Sequence, residues 1–364
     1  MLATLHGHDH YRNNMDRLFT PLRIGALELP SRVIMAPMTR SRADNDGVPL
    51  DYVADFYVQR ASAGLMLTEA IYVSPMAKGY VRTPGLTNDA QQAAWARIVK
   101  AVHAAGGRIF AQLFHTGRVA LPDFLPGGAQ PVAPSAIAIK GQNKTDDGKK
   151  DFVVPRALET DEIPGVVAEF ASAAKRAMAA GFDGVEIHAA SGYLIHQFLD
   201  STINLRDDAY GGSVENRCRF LLEVIDGVTM AVGAARTGIK VSPRIKFNDV
   251  VEPDASDVYP YLSRALSSHG LAYLHGAKQS DYDVHAQMRQ HYKGLYAAGG
   301  GFNRDSAEAI LASGGADAVV FGKPFIANPD LPRRMRDGVA LAEPDFATIY
   351  SGSERGYIDY PAAD

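Results

Sequence analysis

The sequence predicts a single (β/α)8 barrel of the TIM type. Short apolar runs, each followed by an amphipathic helical pattern, recur from one end of the chain to the other. Eight such β-then-α units can be read, and no break in composition divides them. The length of 364 residues suits one large barrel with insertions as well as two domains of average size. A doubly wound open sheet alternates in the same way, so the barrel rests on the count of eight.

In chain order, residues 1–14 are expected to be a flexible tail and residues 15–364 the barrel. The stretch LFTPLRIGALELPSR reads as a hairpin ahead of the first barrel strand, placed to plug the bottom of the barrel. Barrel strands are expected at 33–36, 65–69, 109–113, 184–187, 239–242, 272–275, 294–297 and 318–321. They are β-branched or apolar on both faces, as suits parallel strands covered on each side. Asn88 can cap the helix that follows the second strand. Thr160 or Asp161 can cap the one before the fourth, and Asn303 the one that stops at Gly314 and Gly315. Two excursions, 121–155 and 188–213, leave the carboxyl ends of strands and read as walls or lids of a site.

Composition narrows the function. With 37 basic and 41 acidic residues the net charge is −4, so no cationic field draws the chain to nucleic acid or anionic lipid. The single cysteine, Cys218, excludes a disulfide framework, a cysteine-ligated zinc site and an iron–sulfur cluster within one chain. No uncharged apolar stretch reaches the roughly 18 residues a membrane span needs, and the N-terminus lacks the apolar core of a secretory signal. These features lead to the expectation of a soluble, cytoplasmic protein. The cluster His6, His8 and His10 reads as part of the tail rather than a metal tract.

Polar residues close the strands where packing does not ask for them: Thr39, Gln112, His115, His188, Lys240 and His275. Glycines follow the last two strands, in AAGGGFN and GKPF. In barrels these two loops often hold a phosphate, since glycines let backbone N–H groups approach the anion and Lys323 adds a charge. No Walker or Rossmann loop is present. Around strand 4, Glu186 and His188 alternate with Val185 and Ile187 and so face the barrel axis. Tyr193 follows in the turn, and a histidine and a tyrosine at one mouth can bind a polarised oxygen and deliver a proton. No metal site is read.

Taken together, LFTPLRIGALELPSRVIMAPMTRSRA, QRASAGLMLTEA, KGYVRTPGL, AQLFHTGR, VEIHAASGYLIHQFLDSTINLRDDAYGGSVENRCRF, FGKPFIANPDL and GYIDYP resemble the Old Yellow Enzyme family of FMN-dependent ene-reductases, in its N-ethylmaleimide and pentaerythritol-tetranitrate reductase branch. The likeness runs from about Leu18 to Pro361. It implies non-covalent FMN, NAD(P)H as hydride donor, and activated alkenes as small-molecule substrates: α,β-unsaturated carbonyls, maleimides and nitroalkenes. A monomer or homodimer is implied, with no nucleic-acid or membrane partner. Carried over by position, Pro37, Thr39, Ala70 and Gln112 border the flavin ring. Lys240 stands beside its N1, and Gly300, Gly301, Gly322 and Lys323 hold its phosphate. His188 binds the substrate oxygen and borders the flavin, and Tyr193 donates the proton. Ser191, Tyr80, Tyr357 and Phe114 complete the substrate site. Ser191 replaces the family's Asn or His, Lys240 and Lys323 replace arginines, and Phe114 replaces a frequent tryptophan. Lysine keeps the charge but loses the planar fork of arginine. Two other readings stay open: a flavin-binding barrel with little turnover, and a Schiff-base aldolase using Lys240.

Overall fold

A computed structural model describes residues 17–363, so the tail expected at 1–14 lies outside the described residues. Eight parallel strands close into a barrel: β3 (Val33–Met35), β4 (Leu65–Tyr72), β5 (Ile109–Phe114), β10 (Gly184–Ala189), β11 (Thr237–Val241), β12 (Tyr273–Ala277), β13 (Tyr296–Gly299) and β14 (Ala318–Phe321). Closure joins the last strand to the first, with Val319 opposite Val33 and Phe321 opposite Met35. Each expected strand is present. Several depart from their expected bounds by one to three residues; β4 runs on to Tyr72, β11 begins at Thr237, β12 runs on to Ala277, and β13 begins at Tyr296 rather than at residue 294.

The strands are buried along nearly their whole length because both faces are covered. All eight residues of β4 and all six of β5 and β10 are buried. The helices that follow lay their apolar faces on the outside. These include α1 (Val53–Val58), α2 (Asp89–Ala104), α3 (Ile163–Ala179), α5 (Val214–Val232), α6 (Ala255–Leu266), α7 (Val284–His291) and α8 (Arg304–Ala312). Asn88 caps α2 by accepting from the Gln91 N–H at 3.0 Å. Asn303 and Ser306 cap α8 reciprocally. The cap expected at Thr160 or Asp161 does not form: α3 starts at Ile163 behind Glu162, and the Thr160 hydroxyl turns to Asp208 instead. Pro164 in the first turn needs no donor there, so the helix starts without a side-chain cap.

The N-terminal hairpin, β1 (Leu22–Ile24) with β2 (Leu27–Leu29), closes the amino-terminal end of the barrel. Leu22, Ile24, Leu27 and Leu29 pack against Ile34, Leu65, Phe110, Tyr273 and Ala318, near the starts of the strands. At the other end the two excursions rise. The first carries β6 (Val132–Ala133), paired with β9 (Arg156–Ala157), and the hairpin β7 (Gln142–Thr145) with β8 (Gly148–Asp151). The second carries α4 (Leu194–Leu199). Two short helices, α9 (Lys323–Ala327) and α10 (Leu331–Asp337), follow the last strand. No described helix is long and apolar enough to cross a membrane, and no group of metal-ligating side chains occurs among the described residues.

Candidate active site

A cavity of about 590 Å³ opens at the carboxyl end of the barrel. Its volume falls in the range of small-molecule sites. Nine residues singled out from the sequence line it: Pro37, Thr39, Ala70, Tyr80, Gln112, His188, Ser191, Tyr193 and Lys240. Met38, Asn143, Lys144, Phe247, Ile326, Ile349 and Tyr350, which the sequence reading did not single out, line it too. No acidic side chain does.

Local sequence places each group. The β4–β5 register slips between Leu67 and Ala70, so β4 carries one residue more than its partner there. Thr68 then accepts the Gln112 N–H at 2.9 Å, and the small Ala70 faces the cavity. Glu69 accepts the N–H groups of Arg40 and Ser41 at 3.2 and 3.3 Å, fixing the turn that follows Thr39. Burial pushes the Glu69 carboxyl up to about 7, against the pull of those donors and of Arg40.

Across the barrel axis Glu186 is fully buried. Its carboxylate accepts from Gln112 Nε2 at 2.7 Å and bonds His275 Nδ1 at 3.1 Å. Gln112 is thereby oriented with its Oε1 free to accept, while His275 is used in the wall rather than the cavity. His115 also turns away: its Nδ1 accepts the Gly117 N–H at 3.0 Å, and burial lowers it to about 3. Lys240 reaches the cavity from β11 without a hydrogen-bond partner among the described residues. Burial lowers its pKa, and the Glu186 carboxylate partly restores it.

His188 and Tyr193 form the reactive edge. Their rings meet edge to face, 4.9 Å between centroids. His188 Nδ1 accepts the Ala190 N–H at 3.2 Å, so in the neutral ring Nε2 carries the proton. Burial, and after it the nearby Lys240 charge, holds His188 well below its ordinary pKa, so that neutral ring is the form present. Tyr193 lies 3.0 Å from the Tyr80 hydroxyl. Burial raises its phenol well above the ordinary value, which keeps the proton on oxygen. Phe114 is fully buried behind this pair, 5.4 Å from Tyr193 and 6.3 Å from His188 between ring centroids, and does not line the cavity.

Ser191 takes a left-handed backbone, φ 59°. Its N–H donates to Ser242 Oγ at 2.8 Å and its carbonyl accepts from Asn248 Nδ2 at 2.8 Å. The loop after β11 thus buttresses the turn between His188 and Tyr193.

Tyr357, expected at the substrate, is placed elsewhere. It is fully buried, stacked on Phe56 at 4.2 Å and covered by the guanidinium groups of Arg40 and Arg42 at 5.1 and 4.6 Å. A tyrosine between two arginines gains more from their charges than it would at a rim. Exposed aromatic residues that do line the cavity are Phe247 and Tyr350, the latter seven positions before Tyr357 in a stretch with no periodic signal.

The glycine loop after β13 meets the phosphate expectation in part. The N–H groups of Gly300 and Gly301 have no acceptor among the described residues, and a Cβ on Gly300 would lie 2.3 Å from the Lys278 carbonyl oxygen. Gly322 adjoins Ala36 and Met38, which link it to the cavity wall. Lys323, however, pairs with Glu343 at 2.8 Å and lies over the Phe346 ring.

The chain matches the model of the NADH:flavin oxidoreductase / NADH oxidase family over residues 17–342. It is 42% identical to 12-oxophytodienoate reductase 1 of Oryza sativa, over 94% of this chain and 92% of that protein. It is 40% identical to a protein of Leishmania infantum named as a flavin mononucleotide-dependent alkene reductase, over 96% and 98%. Among solved structures, morphinone reductase in complex with tetrahydroNAD superposes with a TM-score of 0.92 at 50% identity, covering 95% of this chain and 98% of that one.

Proposed function

This chain belongs to the Old Yellow Enzyme family of NADH:flavin oxidoreductases, and from that premise we propose that it reduces the C=C bond of α,β-unsaturated carbonyls, maleimides and nitroalkenes with NAD(P)H. It is an FMN-dependent oxidoreductase. The observation that carries the substrate reading is a neutral His188 and a protonated Tyr193 on one edge of a cavity whose floor holds an unpaired lysine.

The residues fit FMN, held without a covalent bond. The Thr39 hydroxyl, Gln112 Oε1 and Lys240 Nζ all present unused hydrogen-bonding capacity to the cavity, as a polar ring edge requires. Gly300 and Gly301 offer N–H groups with no acceptor among the described residues, suited to a phosphate. Lys323 would have to leave Glu343 to join them; both side chains are exposed, so the exchange costs little. Bound there, FMN would supply the hydride-transfer chemistry between NAD(P)H and the alkene.

The chain's own groups do the rest. His188 donates from Nε2 to the substrate's carbonyl or nitro oxygen and steadies the charge that grows there. Tyr193 gives its proton to the α-carbon and regains one through Tyr80 or solvent. Lys240 offsets negative charge at the flavin edge through Coulomb attraction.

A visible spectrum followed anaerobically tests this. The purified protein should be yellow, bleach with NADPH, and recover its colour on adding cyclohexenone. Recovery with none of these alkene classes would leave a barrel that binds flavin without turning substrate over.

A further inference from the structure

His196 is fully buried on α4 and does not line the cavity. Its Nδ1 accepts the Gly192 N–H at 3.0 Å, so the ring carries its proton on Nε2. That Nε2 donates to Glu252 Oε1 at 2.9 Å, with the Tyr259 oxygen 3.2 Å away. Glu252 is buried too and takes two further donors, the Tyr259 hydroxyl at 2.5 Å on the same oxygen and the Arg244 N–H at 2.6 Å on the other. A buried imidazole beside a buried carboxylate costs more than apolar side chains of the same size would. Apolar side chains could fill the space, but they could not hold the Gly192 N–H.

That N–H belongs to the turn between His188 and Tyr193. Ser191 and Gly192 are both left-handed there, at φ 59° and 72°, a backbone that persists only where its surroundings hold it. Side chains bind all four of its polar groups. Ser242 and Asn248 take the N–H and carbonyl of Ser191, His196 takes the Gly192 N–H, and Gln197 Nε2 donates to the Gly192 carbonyl at 2.8 Å. The loop that supplies Asn248 has left-handed residues of its own at Arg244, Asn248, Asp249 and Glu252. Glu252 therefore steadies both sides of the turn: the loop through Arg244, and Gly192 through His196.

We infer that His196 is a positioning residue for proton transfer: with its tautomer set by Glu252, it fixes the turn that aims the Tyr193 hydroxyl into the cavity. This rests on the reading of Tyr193 as proton donor above. His188 precedes the turn and is held by its own strand, β10, so its hold on the substrate oxygen does not run through His196.

A double-mutant cycle in the FMN-loaded enzyme tests this, with the two half-reactions separated by stopped-flow. In His196→Leu/Glu252→Gln the second change removes a charge that the leucine would leave unpaired. Cyclohexenone reduction should slow about tenfold in this variant, part of the about 10²-fold that an ångström of misplacement can cost, while flavin reduction by NADPH keeps its rate. Added to Tyr193→Phe, the same two changes should slow cyclohexenone reduction no further. His196→Asn, which keeps an acceptor at the Nδ1 position, should recover most of the rate. If the double variant fails to fold, His196→Gln takes its place in the cycle, since it keeps the donor to Glu252 but not that acceptor. Equal slowing of both half-reactions, slowing that multiplies with that of Tyr193→Phe, or no slowing at all overturns the inference. Cyclohexenone reduction at full rate in Tyr193→Phe alone would fault the proton-donor reading itself, and the inference with it.

Discussion

Ser191 occupies a left-handed backbone position, which asparagine tolerates better than serine. Ser191→Asn should therefore fold, and it would place a second donor beside His188. Losing one donor to developing charge costs roughly 1.5–3 kcal/mol, so the substitution should tighten 4-hydroxybenzaldehyde binding about 10-fold or more. Titration by the charge-transfer band checks this; weaker binding at full FMN content would mean the pocket is built around serine. Tyr193→Phe tests the proton donor. Alkene reduction should slow by about 10²–10⁴ while flavin reduction by NAD(P)H is spared, and equal slowing of both in stopped-flow would remove Tyr193 from that role. If Lys240 stands beside the flavin as proposed, Lys240→Met removes an unpaired cavity cation and should make the two-electron potential more negative by about 30 mV, the equivalent of roughly 1.4 kcal/mol. A dye-coupled titration that finds no shift would remove Lys240 from that edge. At this scale the sequence was legible wherever a side chain's chemistry repeats a motif, as with His188 and Tyr193. Tyr357 misled because a motif tyrosine looks the same whether it lines a cavity or stacks between arginines. Tyr350 and Lys144 carried no local signal at all.

At the scale of elements, the glycine loop after β13 is built for close approach. Gly300 combines φ 126° with a Cβ position 2.3 Å from the Lys278 carbonyl oxygen, whereas Gly301, at φ 77°, opens on free space. Gly300→Ala should therefore push the loop off Lys278 and empty the protein of FMN, while Gly301→Ala should cost only about 1 kcal/mol of backbone strain. Flavin content after gel filtration separates them; equal retention would mean this loop does not hold the phosphate. The strands and most helix ends were readable from hydrophobic period and cap residues. The extra residue between Leu67 and Ala70 was not, because a bulge leaves an all-apolar run unchanged in pattern. The hairpin β7–β8 was hidden for the opposite reason: its residues are polar on both faces, so no alternation marks it, and it is anchored by Asn143 to Gly79 and Val119 and by Asp146 to Arg82.

For the molecule as a whole, acid stability follows from its buried histidines. Burial lowers His115 to about 3 and His285 to about 4, and lowers His188 and His275 as well. Below the ordinary histidine value the unfolded chain takes up protons that the folded one refuses. Stability is therefore whole above about pH 6.5 and is lost as pH falls through that value toward the folded ones. For His285 the interval from 6.5 to about 4 is worth about 3 kcal/mol. His285→Gln should reduce the fall in Tm between about pH 7 and pH 4.5, as read by calorimetry. A fall of the same size would place the acid sensitivity elsewhere.

The pairing of β14 with β3 also sets a timetable. A ribosome delivers Val33 well before Val319, so the sheet cannot close, and leaves two bare edges, until Val319 has emerged. The arginines behind the site wait longer still. Arg40 donates to the carbonyls of Ile349 and Gly356, and Arg42 to that of Thr348. Until those residues emerge, two cations that end up buried lack most of the carbonyls they face. The pocket is thus a late product of translation, assembled only after the last barrel strand and the segment from Thr348 to Gly356 have been made.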